Sequence, residues 1–497
     1  MDEGASWSMA WGRPEPGAPS AWTDDRLRLS DVGKLARRAR SKVVGVARAE
    51  DRPTLTSMLH DHLGAAAETA DVVEESWPAY EHVNVQLGLD AWLAGEDRAH
   101  RLLGLARFRH RGVDLSGLLV PDDDPYESGP ILGNVSWMTL PSGPDGQVHR
   151  AVAAGLYLVE EPGLHAAILL LGPQEDNGLH LHVASDDPAA AARIAAEVRE
   201  LALVHNVFRG QLISFEGDMF GERGTVLHFH TRPDVAADRV ILPVETLAMI
   251  RRQVVGVAEH RAQLLSARQH LKRGLLLYGP PGVGKTHTVR HLISQLAGVT
   301  VVELSGAALQ LIGTACSVAR TLQPAMVVVE DVDLIAQERG PYGGQHPLLF
   351  QLLNEMDGLA EDADVVFLLT TNRADVLEPA LAARPGRVDQ AVLMELPDAE
   401  ARRRLFELYR GDLEVDTSRL DSVVARTENV TASFLKELLR RSALIAAAGS
   451  DGGTLSVSAD QLDEALAELL DTRNAMTRVL LGGQRGAESG GWPAGDH

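Results

Sequence analysis

Apolar and polar positions alternate with three different periods along this chain, and each period predicts a different kind of structure. From about residue 31 to 120 the apolar residues recur at three- and four-residue spacing. Leu55, Met58, Leu59 and Leu63 lie on one stripe, and Val85, Leu89, Trp92 and Leu93 on another, so this stretch reads as mostly helical. From about 126 to 233 the pattern is that of short strands, at 151–160, 166–171, 179–184, 211–215 and 225–230. One helix, 188–204, sits among them with Asp187 as its N-cap candidate. From 240 onward, apolar runs at 274–278, 299–304, 325–329, 364–370 and 390–395 are separated by helical stretches. Near-continuous apolar strands alternating with helices predict a parallel sheet covered on both faces. After Leu396 the strands stop, and the chain to Thr472 reads as a helical bundle.

The remaining segments have no such period. Residues 1–30 carry Trp7, Trp11 and Trp22 among Gly and Pro, which predicts a flexible arm. Pro121 to Pro125, with three aspartates between the prolines, reads as a linker, and the Gly-rich residues after 482 read as a disordered tail. The expected organisation is an arm (1–30), a helical region (31–125), a small α+β domain (126–235), an α/β domain (236–396), a helical lid (397–472) and a tail (473–497).

Composition narrows the function more than the fold. A formal net charge of −22 repels phosphate backbones at long range and disfavours non-specific nucleic-acid binding. The local basic run Lys34, Arg37, Arg38, Arg40, Lys42 and Arg48 reads as a solvated helix face, with a nucleic-acid contact as its rival. The single cysteine, Cys316, rules out an intramolecular disulfide and a thiolate zinc cluster, and in an apolar helical stretch it reads as a packing residue. The first thirty residues have no apolar core of a secretory signal, and runs such as 166–171 are far below the ~20 residues that span a bilayer. A cytoplasmic protein without membrane insertion is expected.

The sharpest chemical signal is Gly279-Pro280-Pro281-Gly282-Val283-Gly284-Lys285-Thr286, followed by His287. It fits G-x-x-x-x-G-K-[ST], with a buried strand running in and a helix leaving. Glycines let backbone N–H groups turn toward phosphate oxygens, and the helix N-terminus adds partial positive charge. Lys285 suits the β- and γ-phosphates, and the Thr286 hydroxyl suits Mg²⁺. ATP and Mg²⁺ are therefore the expected ligands. A second apolar strand ends in Glu330-Asp331, two carboxylates where such a site needs one for the metal and one for the attacking water.

These residues resemble the AAA family of ATPases. Gly279–Thr286 is similar to its Walker A and 327–333 to its Walker B. The following Leu334-Ile335-Ala336 and Arg339 also fit, and 351–359 resembles the helix before the sensor strand. Residues 368–373 resemble that strand, with Asn372 at the sensing position. Residues 380–389 match the arginine-finger segment, with Arg384 and Arg387, and Pro397-Asp398 with Arg402 resemble the start of the lid. The resemblance covers about 240–472. It implies a P-loop parallel sheet with a helical lid, ATP hydrolysis, and a ring, most often a hexamer. In that ring Arg384 and Arg387 would reach the phosphate held by a neighbouring subunit. Glu330 would be the metal ligand with Thr286, and Asp331 the base.

Three positions depart from the family. Most AAA modules read Asp-Glu where this chain reads Glu330-Asp331, which lengthens the metal-side acid and shortens the base by one methylene. The segment matching the first pore loop, Gln310-Leu311-Ile312-Gly313, has Leu311 where threading modules carry an aromatic ring. The second sensor segment, Thr431-Ala432-Ser433-Phe434, is only loosely similar, and Lys436 reads as a lid-surface residue. No H-E-x-x-H occurs, so the resemblance is not expected to extend to membrane AAA metalloproteases. His180-x-His182 and His228-x-His230 each put two imidazoles on one sheet face, and neighbouring strands would let all four converge on a metal. The lead expectation is an ATP-driven remodeller of proteins. The rivals are a slow-hydrolysing assembly switch and, behind it, a DNA-directed ATPase.

Overall fold

The computed structural model describes residues 54–106, 113–120, 131–173, 178–217, 225–334, 347–375, 377, 388–448 and 455–471. The chain divides into two compact units, Met1–Met58 and Leu59–His497. Everything below concerns the second. The expected arm and tail, the basic run, the Pro121–Pro125 linker, Arg339, Arg384 and Arg387 lie outside the described residues.

The second unit contains two seven-stranded sheets. The first is antiparallel. Its strands are β1 (Val73–Pro78), β2 (Ala99–Ala106), β3 (Ile131–Gly133), β4 (Ser136–Pro141), β5 (Val148–Glu161), β6 (Leu164–Leu171) and β7 (Gly178–Ser185). They run in the order β1-β7-β6-β5-β2-β3, with β4 also on β5. Helices α1 (His82–Leu93) and α3 (Pro188–Val204) cover one face, and the short α2 (Leu115–Leu119) follows β2. Leu89 and Trp92 of α1 and Ile194 and Val198 of α3 pack on Ile168, Leu170 and Leu181. The helix expected at 188–204 has those bounds, and Asp187 caps it by accepting from Ala189 N at 3.1 Å.

The stretch 31–125, expected to be helical, also supplies β1 and β2. Glu74, Glu75 and Ser76 in β1 give it no apolar alternation, and only the register with β7 makes it a strand. As an edge strand it needs few apolar residues: Glu74 faces water, and Glu75 on the other face pairs with Arg199 of α3.

The second sheet comprises β8 (Leu212–Gly217), β9 (Thr225–His230), β10 (Arg273–Tyr278), β11 (Thr300–Leu304), β12 (Ala325–Val329), β13 (Val365–Thr371) and β14 (Gln390–Leu393). Their order is β14-β10-β13-β12-β11-β8-β9, parallel throughout except for the β8–β9 hairpin. Around it lie α4 (Lys285–Gln295), α5 (Ile312–Thr321) and α6 (Pro347–Asp357). Leu275, Leu277, Val301, Val328 and Leu368 form one core face with Val289 and Leu292 of α4. Leu276, Val302, Val327 and Phe367 form the other with Ala315 and Leu352. The α/β class expected from the alternating runs is the one observed.

β8 and β9 were grouped with the small α+β domain, but they extend the parallel sheet, with Val301 opposite Leu212 and Glu303 opposite Ser214. Without them β11 would be an open edge with unpaired backbone groups. The two bodies also share α1. Its Val83 belongs to the core of the second sheet, while Val85, Leu89 and Trp92 belong to the first.

A helical bundle closes the chain: α7 (Ala399–Arg410), α8 (Leu420–Arg426), α9 (Ala432–Ala448) and α10 (Ala459–Leu470), with the small pair β15 (Glu414–Val415) and β16 (Ser456–Val457). Phe406, Phe434, Leu438 and Leu466 fill its core. Arg402 is a brace within it, donating to Pro397 O and Val424 O.

Candidate active site

The site begins where β10 stops. Gly279 has φ 149°, and a Cβ there would collide with the carbonyl oxygen of Met394, which β14 brings alongside. Met394 N in turn donates to Tyr278 O at 2.7 Å. The chain then turns tightly to Gly284, at φ 103°, which stands at the N-cap of α4. This is an open helix N-terminus facing the C-terminal end of a parallel sheet, the usual place for an anionic ligand in such folds.

Lys285 is 7% exposed and folds back under the turn. Its Nζ donates to Gly279 O at 2.8 Å, to Pro280 O at 2.9 Å and to Asn372 Oδ1 at 2.8 Å. Burial lowers its proton affinity, and the charges of Asp331 and Asp333 oppose that shift. Thr286 and His287 are exposed, and the His287 ring bonds Arg239 O at 3.0 Å.

The acidic pair stands at the end of β12, whose five residues are buried throughout. Asp331 has φ 51°, a left-handed conformation that Asp tolerates. Its N–H donates to Thr370 Oγ1 at 3.1 Å, and its carboxylate accepts from Asn372 Nδ2 at 3.0 Å. One amide thus links two charged groups, with its oxygen on Lys285 and its nitrogen on Asp331. Asp333 fixes that amide's backbone, accepting from Thr371 Oγ1 at 2.8 Å and Asn372 N at 3.2 Å. Thr370 and Asp333 were not singled out from the sequence as site residues. The cue was Asp333's place two residues beyond Asp331, on the same turn.

Glu330 Oε1 is buried without a hydrogen-bond partner, in contrast to Asp331, whose Oδ1 accepts from Asn372. Glu303 of β11 lies near enough that burial, and then the Glu330 charge, raise its proton affinity. An orphaned carboxylate oxygen with a second acid beside it is a donor set that suits a hard divalent cation such as Mg²⁺.

A cleft of about 280 Å³ adjoins the turn. It is lined by Val240–Val244, His287, Leu396, Pro397, Tyr409 and Ala432 among others. The bundle also touches the turn directly, because Ser433 N at the start of α9 donates to Gly282 O at 3.2 Å. The loosely matching segment at Thr431–Phe434 therefore meets the turn, while Lys436 is exposed on α9. Leu311 is half-buried against the core of the second sheet and Ile312 is fully buried.

A Gly-rich strand-to-helix turn with an inward lysine, linked through Asn372 to an acid at the end of β12, defines a P-loop nucleoside triphosphatase. Residues 275–396 match the family model described as "ATPase family associated with various cellular activities (AAA)". The chain carries an AAA-family P-loop ATPase domain. Similar curated proteins include the ATP-dependent zinc metalloprotease FtsH 3 of Symbiobacterium thermophilum, 32% identical over 247 residues, which are 46% of this chain and 37% of that protein. FtsH 2 of Sphaerobacter thermophilus is 34% identical over 221 residues, 40% of this chain and 32% of that protein. FtsH of Mycobacterium tuberculosis is 32% identical over 235 residues, 44% of this chain and 30% of that protein. The chain thus spans about a third of the length of these relatives. The likeness does reach proteins named as metalloproteases, contrary to the expectation drawn from the missing H-E-x-x-H, but over only 40% to 55% of this chain.

The four histidines do not converge. His180 and His182 lie on β7 of the first sheet, and His228 and His230 on β9 of the second. His228 instead meets Glu216 at 3.0 Å and His230 meets Ser214 at 2.7 Å, so strand spacing was a sound cue to a shared face but carried no information about which strands are neighbours. No described helix is long and apolar enough to cross a membrane.

Proposed function

We propose that this chain hydrolyses ATP with Mg²⁺ as a ring-forming AAA motor, most simply a cytoplasmic hexamer, and spends the energy on remodelling proteins or protein complexes. The observation that carries the reading is the Lys285–Asn372–Asp331 chain of hydrogen bonds across three elements. It couples the phosphate-facing cation at the start of α4 to the base after β12 through a side chain just beyond β13.

In this reading the backbone N–H groups of 280–286 and the N-terminus of α4 receive the phosphates. Lys285 exchanges its carbonyl partners for phosphate oxygens. Mg²⁺, held by Thr286 and Glu330, would neutralise charge on the β- and γ-oxygens. Asp331 accepts the proton of the attacking water while Asn372 holds the carboxylate in place. Asp331 is one methylene shorter than the usual Glu, and its left-handed backbone changes where that shorter acid starts from. Arg384 and Arg387 act on a neighbouring subunit's phosphate. The cleft beside His287 takes the base of the nucleotide. The first sheet and its helices select a protein client, and the charge of −22 disfavours a nucleic-acid one.

Steady-state phosphate release decides the matter. Asp331→Asn is expected to lower turnover at least about 100-fold, the usual cost of removing a general base, while ATP still binds. Leu311 packing into the core favours a second reading, an assembly switch that hydrolyses slowly. Near-zero turnover in both wild type and Asp331→Asn, with ATP-dependent assembly in both, would select the switch over the motor.

A further inference from the structure

The first sheet carries a cluster that the ATPase does not use. Glu74 on edge strand β1 stands directly opposite His182 on β7, and His180 shares that face two residues away. The ligand-capable atoms of Glu74, His180 and His182 all lie within 4.8 Å of one another, and they form the one such group among the described residues. Glu74 Oε1 and Ser76 Oγ approach His180 Nδ1 at 3.1 and 3.0 Å. The two imidazole rings are tilted with centroids 6.2 Å apart.

His182 is the informative member. It is 4% exposed, lies against the His180 ring and stands opposite Glu74 across the strand pair. A Glu74–His180 ion pair accounts for those two residues, and the convergence of all three ligand atoms brings the buried His182 into the same group. Asp114, the N-cap of α2, lies close enough for its charge to act on His182. Glu74 is 53% exposed, which leaves the cluster open to solvent on one side.

We propose that Glu74, His180 and His182 form a three-ligand site for a divalent transition-metal ion of the zinc class, which fastens edge strand β1 to β7. Two imidazoles and one carboxylate suit such ions rather than Mg²⁺ or Ca²⁺, which take oxygen ligands. Ligands on one tetrahedral ion stand roughly 3.4 Å apart, so side-chain rotations of about an ångström close the present spacing. The fourth position faces water. The site lies outside residues 275–396 and is independent of the proposed ATP hydrolysis.

The test is titration of the chelator-stripped, nucleotide-free full chain with Co²⁺, read by its visible absorption, followed by displacement with Zn²⁺. The expected result is one ion per chain with a tetrahedral-type spectrum. Affinity should fall at least tenfold in Glu74→Gln, His180→Gln and His182→Gln. Glu74→Gln alters an exposed side chain, so its circular dichroism and melting point should match wild type and keep the result readable if His182→Gln misfolds. No stoichiometric uptake by wild type, or equal uptake by Glu74→Gln, overturns the site as proposed.

Discussion

Gly279 is the position where one atom changes most. Its φ of 149° and the Met394 oxygen beside it leave no room for a Cβ. Gly279→Ala must push β14 away from the turn or unfold the turn itself. The expected outcome is a loss of ATP affinity of at least tenfold together with a lower melting temperature, read by calorimetry with and without nucleotide. An unchanged affinity would mean that the turn does not hold the phosphates. The glycines, Lys285 and the acidic pair were all legible in the sequence, because each is a residue type that its task cannot do without. The Asn372 bridge was legible as a position but not as a link, since its two partners lie 87 and 41 residues away. Arg384 and Arg387 remain as the resemblance left them.

At the scale of elements, α1 is held to β5 by buried side chains. His82 bonds Val152 O at 3.0 Å through Nε2, and Gln86 Oε1 accepts from Val152 N at 2.9 Å. His82 Nδ1 is buried with no partner, which is the neutral tautomer's bare acceptor. Burial pushes the His82 pKa from 6.5 down to about 4, partly opposed by its bond to Val152. The native state therefore stays unprotonated where the unfolded chain takes up a proton. The contribution is complete above pH 6.5 and is lost as pH falls toward 4, on the order of 3 kcal/mol in all. Denaturant unfolding of wild type and His82→Gln between pH 4 and 7.5 checks this, because the difference between them should shrink steadily as pH falls. Helix α1 was readable from Val85, Leu89, Trp92 and Leu93, and α3 from its cap and period. Strand β1 was not readable, because its acidic residues have no local signature and acquire meaning only opposite β7.

For the whole molecule, the proposed ring makes each ATP site a joint property of two subunits. Arg384→Ala and Arg387→Ala should bind ATP almost normally and lose turnover, by 10³-fold or more if they act as trans arginines do in related ATPases. Lys285→Ala should fail to bind nucleotide while keeping its arginines. Mixing Lys285→Ala with either arginine variant should restore part of the phosphate release, since one supplies the arginine and the other the P-loop. Additive, inactive mixtures would place both arginines outside the neighbour's site. The overall class was visible in the order of apolar runs. The domain boundary was not, because the sequence of β8 and β9 states that they are strands and is silent about which sheet will accept them.

That hairpin has a practical consequence. A shortened protein cut at the family boundary near residue 275, or even just after β9, would strip β8 from β11 and leave a row of bare amides and carbonyls along the sheet. It would also remove Val83, Phe208 and Phe215 from a core they help to fill. Such a fragment would be sticky and hollow on one side, and its poor behaviour would be mistaken for a property of the ATPase. A minimal version of this ATPase must start upstream of α1, so that part of the region proposed to select a client is the ATPase domain's own outer wall.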